Sequence, residues 1–321
     1  MIASPRASSA PAEFRDAHLR GVWAAIPVPW NADGSVDRGA VRALVGRYRD
    51  FGVDGVYSTG TDGEFHVLEL DDFRAVQEAF AAAVVDFGIP AQVGASWINE
   101  RGIHERIAIA RDLGFRCVQT TVPFWMPIND LEARDFFAGL ADRFPDVGIV
   151  SYNTSRSGHQ LKPAEVRDLV DRGSTLIGAK HEGTADALME AAALVPEVRQ
   201  FAVDGDIVPG VLFGATGMYS FIVNVSPSWT LEFWRNAVAG DWEEAARKKQ
   251  RLNAFLPAFE AALGTHVTAW PSQGKAAIRA GLFPDMPLGV RPPYRAATEA
   301  DVARVRTLIE TQFPEFGIGG R

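Results

Sequence analysis

The chain has 321 residues, 47% hydrophobic and 22% charged, which is enough for one large domain or for a barrel with a small extension. Its formal net charge is −8 and it has no basic run or stripe; this argues against nucleic acid as a partner and leaves any anionic ligand to be caught by local groups. The single cysteine, Cys117, excludes an internal disulfide and a cysteine-rich zinc site and suits a reducing cytoplasm, while the longest apolar stretches, such as Phe80 to Val85, are too short to cross a bilayer.

Met1 to Ala17 is rich in Ala, Ser and Pro and lacks the apolar core of a signal peptide, so residues 1–17 read as a loosely ordered tail. Short apolar runs then alternate with amphipathic stretches. The strand candidates are Gly21 to Val28, Val53 to Thr59, Ala91 to Ser96, Arg116 to Thr121, Val147 to Tyr152, Leu176 to Lys180, Val198 to Val203 and Gly217 to Val223. Helical patterns between them include Arg38 to Phe51, Leu70 to Asp86, Asn99 to Leu113, Leu131 to Phe144, Pro163 to Arg172 and Thr184 to Leu194. Eight such units predict an α/β fold, a (β/α)₈ TIM barrel over residues 18–228. A doubly wound open sheet is the runner-up, but Pro27-Val28-Pro29-Trp30 is no phosphate loop. Residues 229–321 read as a C-terminal helical extension packed on the barrel: Thr230 to Leu263, Pro271 to Ala280 and Glu299 to Thr311.

Barrel chemistry sits at the C-terminal ends of the strands. Strand two runs into Gly60-Thr61-Asp62-Gly63-Glu64, a tight turn whose backbone N–H groups form a natural carboxylate nest. Strand five ends at Tyr152-Asn153, and a tyrosine hydroxyl there can shuttle protons. Arg156, just beyond, is a candidate carboxylate clamp. Strand six ends in Gly178-Ala179-Lys180, a lone amine after an apolar run; a neutral lysine there can attack a keto group and form a Schiff base. Asp204 and Asp206 follow strand seven as turn residues. The histidines show no metal-ligand spacing, which speaks against a metal-dependent aldolase.

The order of Gly60-Thr61-Asp62-Gly63-Glu64, Tyr152-Asn153 and Gly178-Ala179-Lys180 resembles the dihydrodipicolinate synthase / N-acetylneuraminate lyase family. The resemblance covers nearly the whole chain after the tail. It implies a Schiff-base lyase, an aldolase or hydro-lyase, working as a dimer or tetramer without metal or organic cofactor. The substrates it implies are a pyruvate-type 2-keto acid and an aldehyde. On that resemblance Lys180 forms the Schiff base, Tyr152 carries protons and Thr61 holds the substrate carboxylate. Asp62, Gly63, Gly205, Tyr219 and Arg156 line the substrate.

Three departures stand out. Asp62 occupies a position where the family usually has a second hydroxyl, and an ionised aspartate is unfavourable beside a substrate carboxylate. It must turn away, carry a proton or act on another part of the substrate. Pro123-Phe124-Trp125-Met126-Pro127 has no hydroxyl where the synthases place a tyrosine pair. The proline usual after Tyr-Asn is missing from Tyr152-Asn153-Thr154. These departures argue against 4-hydroxy-tetrahydrodipicolinate synthase proper. Phe124, Trp125 and Trp97 predict an aromatic pocket mouth and a bulky or aromatic distal group on the substrate, as in the hydratase-aldolase branch, while Glu64-Phe65 is similar to the sugar-acid dehydratase branch. A non-catalytic keto-acid-binding barrel is the alternative from another class.

Overall fold

A computed structural model describes residues 9–182 and 185–317. Eight parallel strands close on themselves: β1 (Gly21–Ile26), β2 (Gly55–Ser58), β3 (Ala91–Gly94), β4 (Cys117–Thr120), β5 (Gly148–Asn153), β6 (Leu176–His181), β7 (Arg199–Val203) and β8 (Gly217–Ser220), which pairs back onto β1. These strands are buried on both faces, as a helix-covered parallel sheet requires. Trp23, Ala25, Tyr57, Cys117, Val150, Ile177, Phe201 and Tyr219 fill the barrel interior. Cys117 packs there as a small core residue, its thiol pushed up to about 12 by burial. The opposite faces, including Val22, Ala24, Val56 and Val93, pack under the helices.

The barrel helices are α2 (Arg38–Phe51), α3 (Leu70–Phe87), α4 (Glu100–Asp112), α5 (Asp130–Arg143), α6 (Pro163–Asp171), α7 (Ala185–Leu194), α8 (Ile207–Leu212) and α9 (Pro227–Val238). Their starts follow local chemistry. Asp37 accepts from Ala40 N and Asn99 from Gly102 N, each satisfying an orphan N–H, and Asn129 with Glu132 forms a capping box. Pro163 and Pro227 open their helices, where a missing N–H costs nothing. The sequence pattern missed α8, whose six residues are too short for a helical period. Residue 184, expected to open α7, lies outside the described residues.

Three expectations need correction. A helix, α1 (Ala10–His18), stands where a loose tail was expected; residues 1–8 lie outside the described residues. Phe14 packs on the interior cluster, Leu19 is fully buried, and Arg15 Nη1 donates to Glu197 O at 3.0 Å, so the segment covers the N-terminal end of the barrel. Its short apolar spacing gave a weak signal, and tertiary packing decides the matter. The expected boundary at 228/229 also cuts into α9, which packs against β1, α2 and α8 and is the barrel's own eighth helix. Thr230 to Leu263, read as one helix, divides at Gly240, which has φ 75, a left-handed value suited to glycine. The extension proper is therefore α10 (Trp242–Leu263), α11 (Trp270–Ala280) and α12 (Glu299–Gln312). Among the described residues no helix is long and apolar enough to cross a membrane.

Candidate active site

Strand register brings the two principal candidates together. Tyr152 on β5 lies directly beside Lys180 on β6. Ile149 pairs with Leu176 but Val150 pairs with Gly178, so Ile177 is an extra residue, a β-bulge. The bulge resets the phase of β6 so that Lys180 faces inward and His181 outward. His181 Nε2 lies 2.7 Å from Gln200 Oε1, away from the chamber, and its pKa is lowered by burial.

Lys180 is 8% exposed and stands over three tyrosine rings, its Nζ 4.1 Å from the centroid of Tyr152, 5.2 Å from Tyr219 and 5.8 Å from Tyr57. Among the described residues no group hydrogen-bonds or ion-pairs with its amine. Tyr219 is fixed from below: its hydroxyl donates to Gln92 Oε1 at 2.8 Å, and its ring packs edge-to-face on Tyr57. Lys180 thus opens into a cavity of about 190 Å³ with Thr61, Asp62, Tyr152, Arg156, Gly205 and Tyr219 also on its walls.

The Tyr152 hydroxyl donates to Glu182 Oε2 at 3.0 Å and accepts from Arg156 Nη2 at 2.6 Å. Arg156 Nη2 also donates to both Glu182 oxygens, at 3.1 and 2.9 Å. Burial raises the Glu182 carboxyl, but the Thr154 hydroxyl and the Arg156 guanidinium outweigh it and hold the group below the usual carboxylate range. Glu182 is a site residue that lies outside the strand-end motifs read from the sequence. The signal was present: residues two apart on a strand share a face, so Glu182 returns to the side of Lys180. Tyr57, also on the wall, was passed over as an ordinary strand residue.

The turn after β2 is folded back tightly. Thr59 has φ 46, strained for a β-branched residue, and its hydroxyl donates to Gly94 O at 2.7 Å while accepting from Gln77 Nε2 at 3.0 Å. Gly63 does not line the chamber; a Cβ there would sit 2.5 Å from Thr59 N, so glycine is what lets the turn close. Glu64 is withdrawn from the chamber altogether. It accepts from Lys275 Nζ at 2.6 Å, Trp30 Nε1 at 3.0 Å and Arg291 N at 2.8 Å, a buried junction between the barrel and the extension. Asp204 also ties backbone together, accepting from Ser220 Oγ at 2.6 Å and Phe221 N at 2.5 Å.

A second cavity of about 280 Å³ shares Thr61, Tyr152, Arg156 and Trp270 with the first and continues toward solvent. Its aromatic wall comprises Phe65, His66, Phe124, Trp270 and Tyr294. Phe65 meets Phe124 edge-on at 6.2 Å and His66 meets Tyr294 at 5.0 Å. Two expected wall residues are corrected. Trp125 is 81% exposed, turned out of the chamber by a backbone with φ 88, and Trp97 lies under the Arg106 guanidinium at 3.6 Å. Away from the chamber, Asp130, His159 and Glu165 bring ligand-type atoms within 4.8 Å of one another, a grouping that residue spacing hid. Lys162 Nζ already holds Asp130 at 2.6 Å.

A model of the dihydrodipicolinate synthetase family matches residues 18–311. The chain is 29% identical over 247 residues to a 4-hydroxy-tetrahydrodipicolinate synthase of Methanothrix thermoacetophila, covering 75% of this chain and 82% of the relative. It is 27% identical over 250 residues to the putative 2-dehydro-3-deoxy-D-gluconate aldolase YagE of Escherichia coli, covering 74% and 80%. The crystal structure of YagE in complex with pyruvate superposes with a TM-score of 0.81 at 24% identity, covering 92% of this chain and 98% of that one. A trans-O-hydroxybenzylidenepyruvate hydratase-aldolase of Sphingobium xenophagum is 28% identical over 199 residues, 59% of each chain. With a family match that spans the barrel and most of the extension, this chain is a lyase and belongs to the dihydrodipicolinate synthetase family.

Proposed function

We propose that this lyase forms a Schiff base between Lys180 and a 2-keto acid that carries a bulky or aromatic distal group. The observation that carries the reading is the Lys180 amine itself: buried, without a hydrogen-bond partner among the described residues, and 4.1 Å from the ring of a tyrosine whose hydroxyl is held by Arg156 and Glu182. The amine lone pair attacks the keto carbon, the keto oxygen leaves as water with one proton from the nitrogen and one delivered through Tyr152, and an iminium remains. That cation takes up the electrons of the adjacent C–C bond as the distal hydroxyl loses its proton and an aldehyde departs, or those of the adjacent C–H bond, giving an enamine that expels a protonated β-hydroxyl as water.

Tyr152 is the proton carrier in this scheme. Its O–H points at the Glu182 carboxylate, and the Arg156 guanidinium supports negative charge on the phenol oxygen. The free N–H groups of the turn at Thr61 to Gly63 hold the substrate carboxylate. The distal group extends between Phe65, Phe124, Trp270 and Tyr294. An aldolase and a hydratase-aldolase of aryl-substituted pyruvate among the relatives support both the reaction class and the aromatic distal group. Pro123 to Pro127 carries no hydroxyl, which favours this reading over the lysine-pathway synthase. We place the enzyme in a reducing cytoplasm as a homo-oligomer; the exposed Trp125 and Met126 are surfaces that such an assembly would cover.

The test is incubation with pyruvate and borohydride followed by peptide mass mapping. A reduced pyruvyl adduct on Lys180 is expected, and folded protein without an adduct on any lysine, with pyruvate or with aryl pyruvates, would return the chain to a non-catalytic binding barrel.

A further inference from the structure

The turn after β2 presents a chemical contradiction. The N–H groups of Thr61, Asp62 and Gly63 have no acceptor among the described residues, so the turn offers three donors to an anion. Asp62, in the middle of those donors, is itself an acid. It does not turn away: it is 8% exposed, lines the chamber with Lys180, and its Oδ1 is buried with no donor among the described residues. Behind it α11 comes close at Gly274, where an added Cβ would lie 3.6 Å from that oxygen. The carboxyl is packed in place facing the substrate.

The groups around it do not neutralise it. Lys180 on β6 and Arg156 after β5 favour its anion, but Arg156 is engaged by Glu182, and Asp204 after β7 opposes it. Tyr48 on α2, Tyr57 on β2, Tyr152 on β5 and Tyr219 on β8 bring hydroxyls and no cation. Lys275 on α11 is held by Glu64. The chamber thus sets two cations, Lys180 and Arg156, against three carboxylates, Asp62, Glu182 and Asp204. An incoming keto-acid anion seated on the turn would add a fourth.

Resting on the Schiff-base reading above, we propose that Asp62 is a specificity residue that works as a neutral acid: it donates a hydrogen bond to the substrate carboxylate, so each bound keto-acid anion takes up one proton from solvent. Burial, opposed by Lys180, already pushes this carboxyl up to about 6 in the empty site. A substrate anion alongside raises it further. Affinity is then full below about pH 6 and falls as the pH rises and the free enzyme loses that proton. Iminium formation at Lys180 is common to the native chain and to a chain with an amide at position 62, so the uptake that belongs to Asp62 is the difference between the two.

The experiment compares pyruvate half-saturation for borohydride trapping in the native chain and in Asp62→Asn, an isostere that donates without ionising. Both chains keep Lys180 and its surroundings, so the ratio isolates position 62. Native half-saturation divided by that of Asp62→Asn should rise about tenfold per pH unit, to roughly 100-fold between pH 6 and 8. Asp62→Thr should follow the same trend and serves if the Asn chain fails to fold. Calorimetry in two buffers of different ionisation heat should count close to one extra proton taken up by the native chain over Asp62→Asn at pH 7.5 and none at pH 5. A ratio constant within twofold, or no extra proton uptake, with the adduct still on Lys180, overturns this inference and leaves the Schiff-base reading intact. No adduct in any chain at any pH overturns both.

Discussion

Two lysine–acid settings lie within one turn of chain from each other and behave in opposite ways. Lys275 and Glu64 are both fully buried and held by protein partners: Glu64 accepts from Lys275, Trp30 and Arg291, and Lys275 also donates to Gly289 O at 2.5 Å. Lys180 and Asp62, each 8% exposed, share a chamber but not a hydrogen bond. Asp62 is only two residues from Glu64. The first setting fastens the extension to the barrel. The second leaves an amine and an acid without protein partners, and unmet polar groups in a cavity are groups held ready for a ligand. Satisfaction marks structure here, and its absence marks chemistry.

The largest expected effect removes the unsatisfied lysine. Lys180→Ala should abolish the borohydride-trapped adduct and lower turnover by on the order of 10⁴-fold or more, while the urea midpoint stays close to native. An adduct that persists at another lysine would show that the wrong amine has been assigned. Tyr152→Phe keeps the ring against Lys180 and deletes only the hydroxyl. Trapping should survive and turnover should fall by roughly 10²–10⁴, the range for a lost acid–base group. Turnover at the native rate would remove Tyr152 from the proton path.

The satisfied pair gives the opposite signature. Lys275→Met leaves the buried Glu64 carboxylate without its paired ammonium, held only by the Trp30 and Arg291 N–H groups, and should cost about 3–5 kcal/mol in urea unfolding. The double change Lys275→Met, Glu64→Gln should recover part of that loss, because no buried charge remains. In both variants the folded protein should still trap pyruvate on Lys180. Loss of trapping in a chain that remains folded would mean that the two settings are coupled through Gly274, which backs Asp62.

Lys180, Tyr152 and the Thr61 turn were legible in the sequence because strand ends are local features and barrel chemistry has a fixed address. Glu182 was legible in principle, through strand alternation, once the phase of β6 is known; the bulge at Ile177 hides that phase from a simple count. Trp125 shows the limit of composition. Its aromatic ring fits a pocket mouth, but one backbone angle, φ 88, directs it to solvent and leaves Phe124 at the wall. Trp270 and Tyr294 reach the same wall from the C-terminal extension, a long-range contact that no local pattern encodes. The α1 helix was missed for a related reason: nine residues are too few to hold a helix alone, and they are ordered by what they cover.

The smallest expected effect tests the contrast without any substrate. Burial lifts the folded-state Asp62 carboxyl from 3.8 to about 6, whereas an unfolded aspartate keeps the ordinary value. The folded chain therefore holds that proton more tightly than the unfolded one. Its stabilising contribution is complete below about pH 4, falls as the pH rises toward 6, and is constant above. A shift of that size is worth at most about 3 kcal/mol, so Asp62→Asn should be more stable than the native chain by roughly 1–3 kcal/mol at pH 7.5. The two proteins should converge near pH 4, where the native residue is already neutral. The pH dependence carries the argument, because a packing difference between the two side chains would not change with pH. A gap that stays the same from pH 4 to 7.5 would mean that Asp62 has a partner in the free enzyme, and the contrast with Glu64 would collapse.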